Sequence, residues 1–176
     1  MLPTLILASD IHGSSFALRL LAGRAKQHQA QKILIAGDLC PPESLEFKTL
    51  LREEAETLLV RGNCDSSYAF SNAGINLPPL VQRLKWGEKT LVMTHGDRFP
   101  SPYGLDMESG DIFISGHTHI PHVVRQEDGI LTINPGSTTF PRTPLGPTYA
   151  LLFEEGVSIR SLDDDRPLPS LQYYFL

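Results

Sequence analysis

Apolar residues in this chain come in short unbroken runs, each stopped by a turn that presents a polar side chain. TLILAS runs into Asp10, KILIAG into Asp38, TLLVRG into Asn63, KTLVMT into His95 and DIFISG into His117. Runs of this length, apolar on both faces and bounded by Gly, are the pattern of strands covered on both sides. Between the first two, residues 14–29 carry apolar positions at helical spacing with Ser14 as N-cap, and residues 42–55 read as a second helix with Pro at its start. Strand, helix, strand, helix, strand implies right-handed crossovers and a parallel sheet.

The character changes from Val81 onward, where the pattern predicts antiparallel pieces. VQRLKWGEKTLVMT turns at Gly87-Glu88, VVRQEDGILTI at Asp128-Gly129 and YALLFEEGVSIRSL at Glu155-Gly156. The expected fold class is α/β: two mixed sheets face to face with helices outside, in one domain spanning residues 1–176. The tail DDDRPLPSLQYYFL follows an acidic stop with an apolar, aromatic end, expected to dock on its own chain rather than on another subunit.

Composition narrows the function classes. The 176 residues are 41% hydrophobic and 20% charged, with 14 Gly, 14 Pro and a formal net charge of -5, and no Lys/Arg run stands out. A large nucleic-acid footprint is therefore not expected, although a small phosphorylated ligand needs only a local positive field. The N-terminal run lacks a basic flank and reads as a first strand, no stretch is long enough to span a bilayer, and two cysteines are too few for a disulfide scaffold. The expectation is a cytoplasmic protein with reduced thiols.

The chemistry lies at the run ends, where ligands collect beyond the carboxyl ends of strands in open sheets. Asp10 and His12 are two apart, as are His117 and His119, so an extended backbone would aim each pair to one side, with Gly13 and Gly116 allowing close approach. The candidate metal ligands are Asp10, His12, Asp38, Asn63, His95, His117 and His119. Seven donors exceed one four-coordinate ion and suit two ions sharing Asp38. With N and O donors alone, Mn or Fe is favoured and Zn, Ni and Co remain compatible; Mn is the expectation. Within GHTHIPH, Pro121 breaks the path, so His122 is expected at the rim of the site, and His28 on its helix is expected to be solvated.

DIHG, GDL, GNCD, THG, GHTH and NPGS, in this order, resemble the calcineurin-like metallophosphoesterases, and GNCD is similar to their small single-domain phosphodiesterase subgroup. The match runs from Asp10 to Ser137. The resemblance implies a four-layer αββα sandwich, with one ion held by Asp10, His12, Asp38 and His119 and the other by Asp38, Asn63, His95 and His117. It implies a small phosphoester substrate attacked by a metal-activated hydroxide, with Asp38, Asn63, Cys64 and His95 catalytic, and often self-association, here as a homo-oligomer. Cys64 stands where most relatives carry a His that binds phosphate or protonates the leaving oxygen. A thiol is the poorer acid near neutrality, which favours phosphodiesters with good leaving groups over alkyl monoesters.

Two alternatives stay open: a phosphomonoesterase or nucleotide phosphatase with the same metals, and a protein-interaction scaffold of this fold, as in the retromer subunit. Asp65 is expected to orient the Asn63 loop or merely to turn the chain, Arg61 to brace that turn, and Arg142 to be solvated. Specificity is expected in the loops 66–79, 97–110 and 138–147.

Overall fold

The computed structural model describes residues 1–53 and 55–175. All five motif-bearing runs are strands: β1 (Leu5–Ala8), β2 (Lys32–Ile35), β3 (Glu56–Leu59), β5 (Lys89–Thr94) and β6 (Ile112–Ile114). They are joined by β4 (Val81–Trp86), β7 (His122–Arg125), β8 (Leu131–Asn134), β9 (Thr148–Phe153), β10 (Gly156–Ser161) and β11 (Pro167–Tyr174), and by helices α1 (Ser15–Gln27), α2 (Leu45–Glu53) and α3 (Ser67–Asn72). The first sheet runs β11-β10-β9-β1-β2-β3 and the second β4-β5-β6-β8-β7. The α/β expectation of two mixed sheets is met.

The alternation along β1 shows why these strands read as apolar on both faces. Leu5 and Leu7 face inward, onto Leu91, Met93, Ile112 and Ile114 of the second sheet, while Ile6 and Ala8 face outward onto α1 and α2 through Leu18, Leu21 and Phe47. Helix α1 is set by its cap: the Ser14 side chain accepts from Ala17 N–H, and Arg24 and Lys26 sit in the last turn, where cations suit the helix dipole. On the outer face of the second sheet, Val92, Phe113 and Ile130 are covered by Leu105, Phe99 and Met107 of the irregular segment 97–110.

Several sequence expectations change in detail. Helix α2 starts at Leu45, not at Pro42, because Ser44 caps it through a 3.2 Å bond from Phe47 N–H; the expected end overlaps Glu54, outside the described residues. The segment 66–79, read as a loop, contains α3, with Ser66 accepting from Ala69 N–H. The β9–β10 turn is Glu154-Glu155, since Phe153 already pairs with Gly156. The region beyond Val81 is not purely antiparallel, because β5, β6 and β8 run parallel. The tail forms the edge strand β11 along β10, placing Leu168, Leu171, Tyr173 and Phe175 against the inter-sheet core. Its two prolines suit an edge, where a missing N–H costs no ladder bond.

Candidate metal centre

The motif residues meet where both sheets end. The turn after β1 is laced to the turn after β2 by Asp10 N–H to Gly37 O (3.1 Å), His12 N–H to Asp38 O (2.9 Å) and Gly13 N–H to Leu39 O (2.9 Å). The turn after β6 is tied to that after β5 by Gly116 N–H to His95 O at 2.8 Å. Asn134 of the NPGS motif holds this last turn, donating to Gly116 O at 2.8 Å and to Thr118 Oγ1 at 3.0 Å.

The backbone is not extended at the ligand pairs. Asp10, His12, Asp38, His117 and His119 all have positive φ, between 46° and 66°. Asp and His tolerate the left-handed region better than most residues, and such conformations gather at functional sites because the surrounding structure enforces them. The pairs therefore converge by kinking. Close approach is equally real: a Cβ on Gly62 would lie 2.1 Å from Asp38 Oδ1, and one on Gly116 1.8 Å from Ser9 Oγ.

Three overlapping groups result, Asp10–His12–His119, Asp10–Asp38–His95 and His12–Asp38–Cys64, each with its ligand atoms within 4.8 Å of one another. His119 Nε2 lies 3.1 Å from Asp10 Oδ1, and His12 Nε2 lies 3.8 Å from both Asp10 Oδ1 and Asp38 Oδ2. His95 Nε2 is 3.4 Å from Asp38 Oδ2 and 3.0 Å from Asn63 Oδ1. His117 stands beside them, its N–H donating to Asp10 Oδ2 at 3.2 Å and its ring edge-on to that of His95 at 5.1 Å.

Hydrogen bonding on the far side of two rings tests whether this set suits a cation. The Nδ1–H of His95 donates to Ala36 O at 2.7 Å, and that of His119 to Phe140 O at 2.6 Å. With the rings neutral, each would turn a bare Nε2 lone pair toward carboxylate or carboxamide oxygen, an arrangement that is repulsive without a positive charge between. Asp10 Oδ1 and His12 Nε2 are buried with no hydrogen-bond partner at all. Buried polar atoms are rarely left so; the donor set fits metal cations.

Without metal, protons do part of this work. Burial would lower the His95 pKa, but its bond to Asp38, the Ala36 carbonyl and the carboxylate charges outweigh that and raise it to about 9. Burial would raise Asp38, but the bonds from His95 and from Cys64 N–H bring it to about 2. Cys64 is exposed at the mouth, with its N–H on Asp38 Oδ1 at 2.8 Å and its thiol pKa raised by burial and by Asp38.

Asp65 is buried and accepts from Gly62 N–H and Cys40 N–H, both at 2.8 Å, so it braces the Asn63 turn. Arg61 adds its backbone N–H to Pro79 O at 2.8 Å. Arg142 is exposed. His122 is not at the rim of this cluster: it opens β7 and lines a cleft of about 600 Å³ on the outer face of the second sheet, together with Tyr103, Met107, Phe113 and Ser115. That cleft is lined by none of the seven ligand candidates. His28 is not simply solvated; it ends α1 and lies 3.0 Å from Asp165. Sequence reasoning missed Cys40, whose sulfur is 3.8 Å from His12 Nδ1, and Phe140, whose ring lies 5.1 Å from that of His12. Neither belongs to a spacing pattern that would have marked it.

Comparison with known proteins agrees with the geometry. Residues 4–156 match the family described as calcineurin-like phosphoesterase superfamily domain. The chain is 30% identical over 171 residues to phosphodiesterase YfcE of Escherichia coli K12, covering 91% of this chain and 92% of that one. It is 40% identical over 119 residues to a probable metallophosphoesterase of Methanothermobacter thermautotrophicus, covering 62% of each. The solved structure of the E. coli phosphoesterase Yfce superposes with a TM-score of 0.85 at 28% identity, over 98% of this chain and 100% of that one. Among the described residues no helix is long and apolar enough to cross a membrane.

Proposed function

The chain belongs to the calcineurin-like phosphoesterase superfamily, in its YfcE-like subgroup, and is a metal-dependent phosphoric ester hydrolase; from this we propose a dinuclear phosphodiesterase acting on small diesters. Asp10, His12, Asp38 and His119 would hold one divalent ion and Asp38, Asn63, His95 and His117 the other, with Mn first and Fe, Ni, Co or Zn as alternatives. Such ions supply acidified water as nucleophile and positive charge for the phosphoryl oxygens.

The chain's own groups do the rest. Two carboxylates against four cationic charges leave a net positive site that attracts a phosphodiester anion. The carbonyls of Ala36 and Phe140 fix the His95 and His119 tautomers so that Nε2 stays available. Cys64 at the mouth carries its proton at neutral pH but is a weaker acid than imidazole, so diesters with good leaving groups turn over best. The same residue argues against a monoesterase or nucleotide phosphatase as the main activity. A scaffold would have no use for buried, unpartnered lone pairs. The reading also takes residues 1–176 as one domain, cytosolic and self-associating, supported by the free thiols of Cys40 and Cys64 and by exposed apolar side chains such as Tyr174.

The observation that carries this function is the facing of His119 Nε2 and Asp10 Oδ1 at 3.1 Å while His119 Nδ1 is engaged by the Phe140 carbonyl at 2.6 Å. The test is a metal-reconstituted rate comparison on a mono- and a diester of one aryl alcohol, with Asp38→Asn as control. Mn-dependent diester hydrolysis should exceed monoester hydrolysis and fall by at least about a hundredfold in the variant. No metal uptake by calorimetry, or a variant as active as the parent, would overturn the proposal.

A further inference from the structure

Phe140 stands beside the cluster, its ring against that of His12 and more than half of its surface open. Its ring lies 5.1 Å from the His12 ring, tilted by 59°, yet the residue is 56% exposed. Among the exposed aromatic side chains of the described residues, which also include Phe16, Tyr68, Tyr103 and Tyr174, it is the one whose ring packs against an imidazole of the cluster.

The segment carrying it is pinned from several directions. Phe140 N–H donates to Ser137 Oγ at 2.9 Å, and its carbonyl accepts from His119 Nδ1 at 2.6 Å. Thr139 Oγ1 donates to Ile11 O at 2.9 Å, and Arg142 N–H to His119 O at 3.3 Å. The same bonds that orient the ligand loops thus set the position of this ring. Contact with His12 alone needs only an aliphatic side chain; a flat apolar face left in water is unfavourable unless something covers it.

We propose that Phe140 is a specificity-determining residue, a fixed platform on which a planar group esterified to phosphate stacks while the phosphoryl oxygens occupy the cluster. The favoured substrates are then aryl or heteroaryl esters rather than alkyl ones. The inference rests on the phosphoesterase reading of this site. Aromatic pairs are offset-stacked or edge-to-face and strengthen binding beyond simple burial, by roughly two- to twelvefold. The backbone that carries the ring is held beforehand by these bonds, which lowers the ordering cost that opposes the contact.

The experiment measures binding of phenylphosphonate and methylphosphonate to the Mn-loaded protein by calorimetry, in the parent, Phe140→Leu and Phe140→Trp. Leu keeps an apolar contact for His12 but has no flat face; Trp enlarges the face. The parent should prefer the phenyl compound by about five- to tenfold, Trp should keep that preference, and Leu should reduce it to within about twofold. Mn affinity and methylphosphonate affinity should be the same in Leu as in the parent. An unchanged preference in Phe140→Leu, or no preference in the parent, overturns the proposal. So does a loss of Mn affinity in Phe140→Leu, which would make the ring a prop for His12. Failure of both phosphonates to bind the Mn-loaded parent sinks the proposed two-metal diesterase reading of this site, and this inference with it.

Discussion

At the scale of single residues, the site works by leaving atoms unsatisfied. His95 and His119 spend one ring nitrogen on a backbone carbonyl, which commits the other to the centre. In the proposed mechanism Cys64 is the residue that tunes the chemistry. Its sulfur accepts from Asn63 Nδ2 at 3.3 Å, and its backbone N–H donates to Asp38 Oδ1 at 2.8 Å. Replacing the side chain therefore leaves the backbone contact intact. Cys64→His should raise the ratio of monoesterase to diesterase kcat/KM by about tenfold or more, because general acid catalysis by a well-matched group is worth at least that. An unchanged ratio on paired aryl substrates would remove Cys64 from leaving-group chemistry.

At the scale of elements, the candidate ligands arrive on strand-to-turn junctions, and at Gly37, Gly62 and Gly116 the glycine is a matter of space. Gly62 has no room for a Cβ beside Asp38 Oδ1 and Asp38 N. Gly62→Ala should push the Asn63 turn away from β2, lowering Mn affinity by at least about tenfold and costing about 1–3 kcal/mol of stability, read by calorimetry and denaturant unfolding. These junctions were legible from sequence because in five places an apolar strand runs into a turn that holds a glycine and a polar residue. The left-handed kinks were not, since Asp10 and His12 have the spacing of extended chain as well as of a kinked one. Helix α3 was hidden because six residues carry too little periodicity to stand out from a loop. The parallel β5–β6–β8 set was hidden for another reason: β7 and β8 form a genuine hairpin, and only the far side of β8 reveals the neighbour it has in space. Phe140 was invisible because its role depends on what it packs against.

At the scale of the molecule, a second polar cluster far from the GHTH turn ties layers together. Asp165 accepts from Arg160 Nε at 2.7 Å and Gln27 Nε2 at 2.7 Å and from the Tyr149 hydroxyl, and lies beside His28, joining α1 to β9 and β10. Burial would raise its pKa, but the bonds from Arg160, Tyr149 and His28 bring it to about 2. A folded pKa below the ordinary carboxylate value of 3.8 stabilises fully above that value, and the gain is lost as pH falls through about 2. Asp165→Asn should cost about 2–4 kcal/mol at neutral pH and flatten the acid limb of stability between about pH 4 and pH 2, measured by thermal melts. An identical acid limb in variant and parent would contradict it. The candidate ligands, by contrast, straddle a seam: Asp10, His12, Asp38 and Asn63 leave the first sheet, His95, His117 and His119 the second. Ions gripped from both banks would be rivets as well as reagents, so a cell that starves this protein of metal would loosen the sandwich in the same stroke that silences it.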